Sequence, residues 1–194
     1  MNFLAHIYLS GENDLLKIGN FMADSIRGKD YLNHQEGIKN GILLHRSIDS
    51  FTDFHPIYRK SKHRLHDKYG HYSGVIMDIV YDYFLAHNWH KYHMQPLPDF
   101  AADFYQLMQK NEHLLAPKAK AMLPHMMQHN WLVAYSTLEG LEKILYMMDY
   151  RTKHRASMHE AIVELKLFYT EFETEFFAFF TELQQHCTNF IKNI

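Results

Sequence analysis

Carboxylate and imidazole side chains recur at four-residue spacing in two stretches of this 194-residue chain, His45-Arg46-Ser47-Ile48-Asp49-Ser50-Phe51-Thr52-Asp53 and Met77-Asp78-Ile79-Val80-Tyr81-Asp82-Tyr83. On helices, the first spacing sets His45, Asp49 and Asp53 in one inward-facing row and the second sets Asp78 and Asp82 in another. Both rows run through apolar neighbours. Buried carboxylates need partners, because an uncompensated charge in an apolar interior is expensive. A divalent cation held between two such helices would supply the compensation, and its chemistry is metal-assisted hydrolysis. Oxygen-rich ligation with one imidazole points to Mn²⁺ or Mg²⁺ ahead of a thiolate-rich zinc site, and zinc stays open.

Other residues join these rows as candidates. Asp24 follows Asn20 by one helical turn in Gly19-Asn20-Phe21-Met22-Ala23-Asp24-Ser25-Ile26-Arg27-Gly28, which makes it a third contributor, and Gly28 is positioned to end that helix. His6 lies in the apolar run Phe3-Leu4-Ala5-His6-Ile7, which suits either a packed structural histidine or a site member. Gly41, one turn before His45, gives up about 1 kcal/mol of helix propensity relative to alanine, so close approach of another element is the expected return. Arg46 points roughly 100° away from His45 and is better placed to meet a carboxylate, a phosphate or a neighbouring helix. Between the rows, Arg59, Lys60, Lys62 and Arg64 form a basic stretch that is either a solvated helix face or a surface for an acidic partner.

These side chains need helices to position them, and the sequence is built for helices. Eight glycines, five prolines and little strand-like alternation favour an all-α, single-domain helical bundle over the whole of 1–194. Helices are expected over 15–31, 35–54, 57–69, 73–92, 98–111, 117–129, 137–149 and 157–190, with a further short one at 1–8. Ser136 and Ser157 each stand three residues before a glutamate, as in a capping box. Leu165, Phe168, Phe172, Phe176, Phe179 and Leu183 form a core stripe, with Glu164, Glu171, Glu175 and Glu182 off it. A net charge of −2 and a pI near 6.8 argue against a nucleic-acid binder. No apolar run is long enough to span a membrane, and the lone Cys187 fits a reducing cytoplasm. Walker, Rossmann, nucleophile-elbow and paired-cysteine zinc motifs are all missing.

The order of these motifs resembles the acyl carrier protein phosphodiesterases, also called holo-acyl-carrier-protein hydrolases, which are regarded as divergent members of the HD phosphohydrolase superfamily. The likeness runs from Met1-Asn2-Phe3-Leu4-Ala5-His6 through Gly19-Asn20, Ala23-Asp24, Arg27-Gly28, Gly41-Ile42, His45-Arg46, Ile48-Asp49 and Thr52-Asp53. It resumes at Asp78, Asp82, Phe84-Leu85-Ala86 and Trp89, and near Asn130-Trp131-Leu132. The resemblance implies an HD-type helical fold and Mn²⁺-dependent hydrolysis of the phosphodiester joining 4′-phosphopantetheine to a serine of acyl carrier protein. It implies that Asp24, His45, Asp49, Asp78 and Asp82 form the metal environment and that Asp53 orients the attacking water. By the same likeness His6 supports a ligand or transfers a proton, Arg46 stabilises phosphate charge, and Arg59, Lys60, Lys62 and Arg64 receive the acidic carrier. Tyr83 departs from the histidine expected after the second aspartate, so no Asp-His doublet is available there. A metal phosphohydrolase acting on a nucleotide or other small phosphodiester is the first alternative reading, and a noncatalytic carrier-binding helical protein is the second. A structural or haem-binding bundle stands behind both, because histidine abundance gives no axial-ligand geometry.

Overall fold

Two glycines set the helix packing on which the site depends. Gly19 and Gly41 face each other, so that a Cβ on Gly41 would meet the carbonyl of Leu16 and lie 2.9 Å from both the Gly19 Cα and the Asn20 nitrogen. Backbone lies directly against backbone there, the close approach expected of Gly41. The computed structural model in which this is seen describes residues 1–153 and 156–194.

The described residues form α1 (Phe3–Leu9), α2 (Asp14–Met22), α3 (Glu36–Phe54), α4 (Pro56–Tyr69), α5 (Tyr72–His87) and α6 (Leu97–Lys110). They continue through α7 (Pro117–Gln128), α8 (Trp131–Ala134), α9 (Leu138–Arg151), α10 (Ile162–Leu167) and α11 (Tyr169–Lys192). Short 3-10 turns join several of these, and no strand occurs among the described residues, so the all-α class holds. Local chemistry fixes the helix starts: Asn2 caps α1, Asn13 accepts from the amides of Leu15 and Leu16 at the start of α2, and Pro56 and Pro117 open α4 and α7. The C-terminal α11 supplies the expected stripe of Phe172, Phe176, Phe179 and Leu183, all buried, and packs it against α3, α4 and α5. None of the helices among the described residues is long and apolar enough to cross a membrane.

Several expected boundaries change. The helix expected over 15–31 ends at Met22, followed by a 3-10 turn at Ala23–Ser25, and in the loop beyond it the carbonyls of Ile26 and Gly28 accept from the Arg46 guanidinium. Gly28 has φ +47° within this loop and so shapes the loop instead of ending the helix. The helix expected over 157–190 is a 3-10 turn plus α10 and α11, broken at Phe168. Neither capping box forms: Thr137, not Ser136, caps α9 by accepting from the Gly140 amide, and Ser157 makes no capping bond. Glu175, placed off the core stripe, is buried, and binds Arg64, Lys60 and Ser61.

Candidate metal centre

Three helices converge on one amide. Asn20, fully buried on α2, accepts from His6 of α1 (Nδ1 to Oδ1, 2.8 Å) and from His45 of α3 (3.0 Å) through the same oxygen. The two imidazoles stack with centroids 4.0 Å apart and planes 21° from parallel. Their far nitrogens meet acids. His6 Nε2 lies 3.2 Å from Asp49 Oδ1, and His45 Nε2 lies 3.1 Å from Asp49 Oδ2 and 3.3 Å from Asp24 Oδ1. A cavity of about 280 Å³ opens beside this cluster, and Asp53, Asp78, Thr52 and Phe3 also line it.

The charges respond to this packing. Burial, reinforced by the neighbouring His45, pushes His6 down to about 4, so it is neutral at physiological pH. Burial also works against a charged His45, but its hydrogen bonds to Asp24 and Asp49 outweigh that and hold it up at about 9. Asp49 stays well below the usual carboxylate range, since its hydrogen bond with the charged His45 outweighs the effect of its own burial. The hydrogen bond to His45 lowers Asp24 too. The cavity therefore carries ionised acids beside an imidazole whose lone pair has no proton to share.

This donor set fits a cation. With its Nδ1–H given to Asn20, neutral His6 turns an unprotonated Nε2 toward a carboxylate oxygen, an arrangement that repels until positive charge lies between the two. Ligand atoms about 2.1–2.2 Å from a six-coordinate ion sit about 3.0–3.1 Å apart at adjacent positions, close to the 3.1, 3.2 and 3.3 Å separations here. His6, His45 and Asp49 offer ligand atoms that all lie within 4.8 Å of one another, and they form a group able to hold a metal ion.

The remaining expected site residues fall into three groups. Asp24 and Asp53 line the cavity with His45 and Asp49, as does Asp78 from α5. Asp78 is engaged there by the Met1 ammonium at 2.8 Å and by the Tyr58 hydroxyl at 2.7 Å, and its burial raises its pKa despite both. Asp82 goes elsewhere. Its oxygens accept from the amides of Asn2, Leu4 and Ala5 at 3.1, 2.7 and 3.4 Å, so the start of α1 supplies the compensation that was expected from a metal. Burial still lifts the Asp82 carboxyl to about 7.

Arg46, expected at a phosphate, spends its guanidinium on the carbonyls of Gly28 and Ile26 and lies over the Tyr31 ring. It thereby straps down the loop that follows Asp24. Arg64 is likewise turned inward, paired through both terminal nitrogens with Glu175, and Lys60 reaches the same carboxylate at 3.1 Å. Arg59 is exposed, and Lys62 lies half-buried over the Tyr58 ring. Tyr83 packs on His87 and shares a hydrogen bond with Tyr169, away from the cavity-lining set. Cys187 is buried with its thiol pushed up to about 12, which makes it inert.

Sequence reasoning set His6 beside the site in a supporting role, whereas the structure groups its Nε2 with His45 and Asp49 in a set of atoms able to hold an ion. It also passed over Asn20 except as a neighbour of Asp24. The available signal was an amide flanked by Gly19 and Phe21 on the face that Gly41 brings against α3.

Comparison with known proteins gives the same direction. The family model described as acyl carrier protein phosphodiesterase matches residues 1–183. A protein of that name from Photorhabdus laumondii is 27% identical over 192 residues, 97% of this chain and 96% of its own length. Those of Pectobacterium atrosepticum and Serratia proteamaculans are 27% and 26% identical, each covering 95% of this chain and 96% of the relative. No solved structure matches the chain significantly. With its motifs in the family's order and the family model spanning α1 to most of α11, the chain belongs to the acyl carrier protein phosphodiesterase family.

Proposed function

We propose that the protein hydrolyses the phosphodiester between 4′-phosphopantetheine and the serine of holo-acyl carrier protein, releasing the apo carrier and free phosphopantetheine. The observation that carries this reading is the meeting of two imidazole Nε2 atoms with the Asp49 and Asp24 carboxylates beside an acid-lined cavity, in a member of this family. A site with this many carboxylates repels a phosphodiester unless positive charge is added. When bound, a divalent cation supplies that charge, lowering the pKa of water and withdrawing electron density from the phosphoryl oxygens.

In this reading His6, His45, Asp49 and Asp24 hold the ion on an HD-phosphohydrolase-like scaffold within one domain. Asp53, exposed one turn beyond Asp49, orients the attacking water for in-line displacement. Asp78, held by the Tyr58 hydroxyl, lines the same cavity. Arg46 serves by keeping Asp24 in place. Two imidazoles with two carboxylates suit Mn²⁺ better than Mg²⁺, which keeps mainly to oxygen, and Zn²⁺ is the competitor that reconstitution separates. A reducing cytoplasm suits the buried Cys187.

The carrier docks, on this proposal, where α4 presents Arg59, Lys60 and Lys62, directly after the end of α3 that bears Asp49 and Asp53. Reversing the charges of Arg59 and Lys62 should raise KM for carrier protein severalfold at low salt, with the difference shrinking as salt rises. An unchanged KM would remove this surface from consideration. For the reaction itself, holo-acyl carrier protein is incubated with the protein and Mn²⁺, and the mass of the carrier is measured. Loss of the prosthetic-group mass is expected, and an unaltered carrier alongside turnover of a nucleotide phosphodiester would transfer the assignment to small phosphodiesters.

A further inference from the structure

We propose that Asn20 is a positioning residue that fixes both site imidazoles as Nδ1–H tautomers, so that both Nε2 lone pairs are presented to the metal centre. The proposal rests on the metal reading above and concerns how this chain prepares its ligands. The orientation of the amide is decided by its donors. Asn20 Nδ2 donates to the main-chain carbonyl of His6 at 2.9 Å, and a carbonyl can only accept, so Nδ2 is the nitrogen. Its second hydrogen goes to Ser10 Oγ, also at 2.9 Å, whose own hydrogen is donated to the same His6 carbonyl. Oδ1 is thereby left as the atom facing both rings, and an amide oxygen only accepts. Each imidazole must therefore carry hydrogen on Nδ1, and each neutral ring is unprotonated at Nε2.

This network is closed. Both hydrogens and both lone pairs of the Asn20 amide are used, and the side chain is fully buried. The wrong tautomer of either ring would set a lone pair against Oδ1 in a buried site. Position matters as much as chemistry: the Gly19–Gly41 contact lets α2 approach α3 closely enough for one short side chain on α2 to reach His45 while also holding His6. Metal-bound histidines generally give their other nitrogen to a partner that sets tautomer and orientation. Here one amide serves two of them.

The test uses histidine-¹⁵N-labelled protein loaded with Zn²⁺ as a diamagnetic probe, with long-range ¹H–¹⁵N spectra reporting the protonated nitrogen of each ring. His6 and His45 should both show Nδ1–H and a zinc-bound Nε2. Coordination through Nδ1, or a retained Nε2–H on either ring, would overturn the proposal without any variant being made. In parallel, Asn20→Leu keeps the side-chain volume but removes the acceptor, and should weaken Zn²⁺ and Mn²⁺ binding about 10- to 100-fold. A purely structural role predicts that the folded leucine variant, checked by its melting curve, keeps wild-type affinity and tautomers; that result also overturns the proposal. Failure of the wild-type protein to bind either ion would defeat the metal reading and this inference together, whereas binding that ignores Asn20 defeats only the inference.

Discussion

Loading the protein with metal should expel one proton, and that proton should come from His45. With His45 held up at about 9 and His6 pushed down to about 4, a solution at pH 7.5 contains His45 mostly protonated and His6 almost wholly neutral. Asp49 and Asp24 have already lost their protons. A cation can bind at His45 Nε2 only where the proton now shared with Asp49 and Asp24 has left, so about one proton is released per ion. Titration calorimetry of chelator-stripped protein with Mn²⁺, repeated in buffers of different ionisation enthalpy, reads this number as the slope of observed against buffer enthalpy. Metal affinity should also rise about tenfold per pH unit toward pH 9 and level off above it.

The sign for stability follows from the same group. Because the folded pKa of His45 lies above its ordinary value of 6.5, the stabilisation is fully present below pH 6.5 and is lost as pH rises through about 9. The stripped protein should then lose on the order of 3 kcal/mol across that window, while the loaded protein should not. A calorimetric slope near zero or near two would refute the reasoning, the first by showing His45 already neutral and the second by showing His6 charged as well.

Asp82→Ala should lower stability by about 2–4 kcal/mol, as three amides at the start of α1 lose their acceptor, and denaturant melts would show it. If Asp82 were a ligand instead, metal affinity would collapse as far as in Asp49→Ala. Gly41→Ala gains about 1 kcal/mol of helix propensity but forces a methyl into the backbone of α2, so a net loss of about 1–2 kcal/mol is expected in melts, with weakened Mn²⁺ binding as Asn20 shifts from His45. Thr52, buried at the cavity with no hydrogen-bond partner for Oγ1, should accept valine with no loss of melting temperature; a clear loss would mean that the hydroxyl is satisfied after all.

Helix class and the main helices of the chain were legible because periodicity is a property of one segment: the rows through His45 and Asp78, and the phenylalanine stripe of α11, needed no knowledge of their neighbours. The end of α2 was not legible. The loop that follows it is held by Arg46, which lies 18–20 residues beyond the carbonyls it takes and was expected at a carboxylate, a phosphate or a neighbouring helix. Capping boxes failed for a related reason, since Ser136 offers the right spacing yet gives its hydroxyl to the Val133 carbonyl and leaves the cap to Thr137. In each case a side chain with several available acceptors chose one that local sequence does not rank.

The same limit explains the two aspartate rows. Four-residue spacing shows that Asp78 and Asp82 share a face of α5, and burial demands that their charge be met, but nothing in the spacing says by what. The structure divides the task by way of α1. Its first amides, with the Met1 ammonium, answer the acids of α5, while His6, one turn further along, turns to Asn20 and Asp49. With Asp82 and Asp78 met by α1 and the Met1 ammonium, the cavity acids in direct contact with an imidazole are Asp24 and Asp49. The demand for a cation is thus concentrated at Asp24 and Asp49, where two imidazole nitrogens stand beside them, and not spread over both helices. This ties the ligand set to the seating of α1: a change that lifts its first turn should expose uncompensated charge on α5 and move His6 away from Asp49 in the same motion.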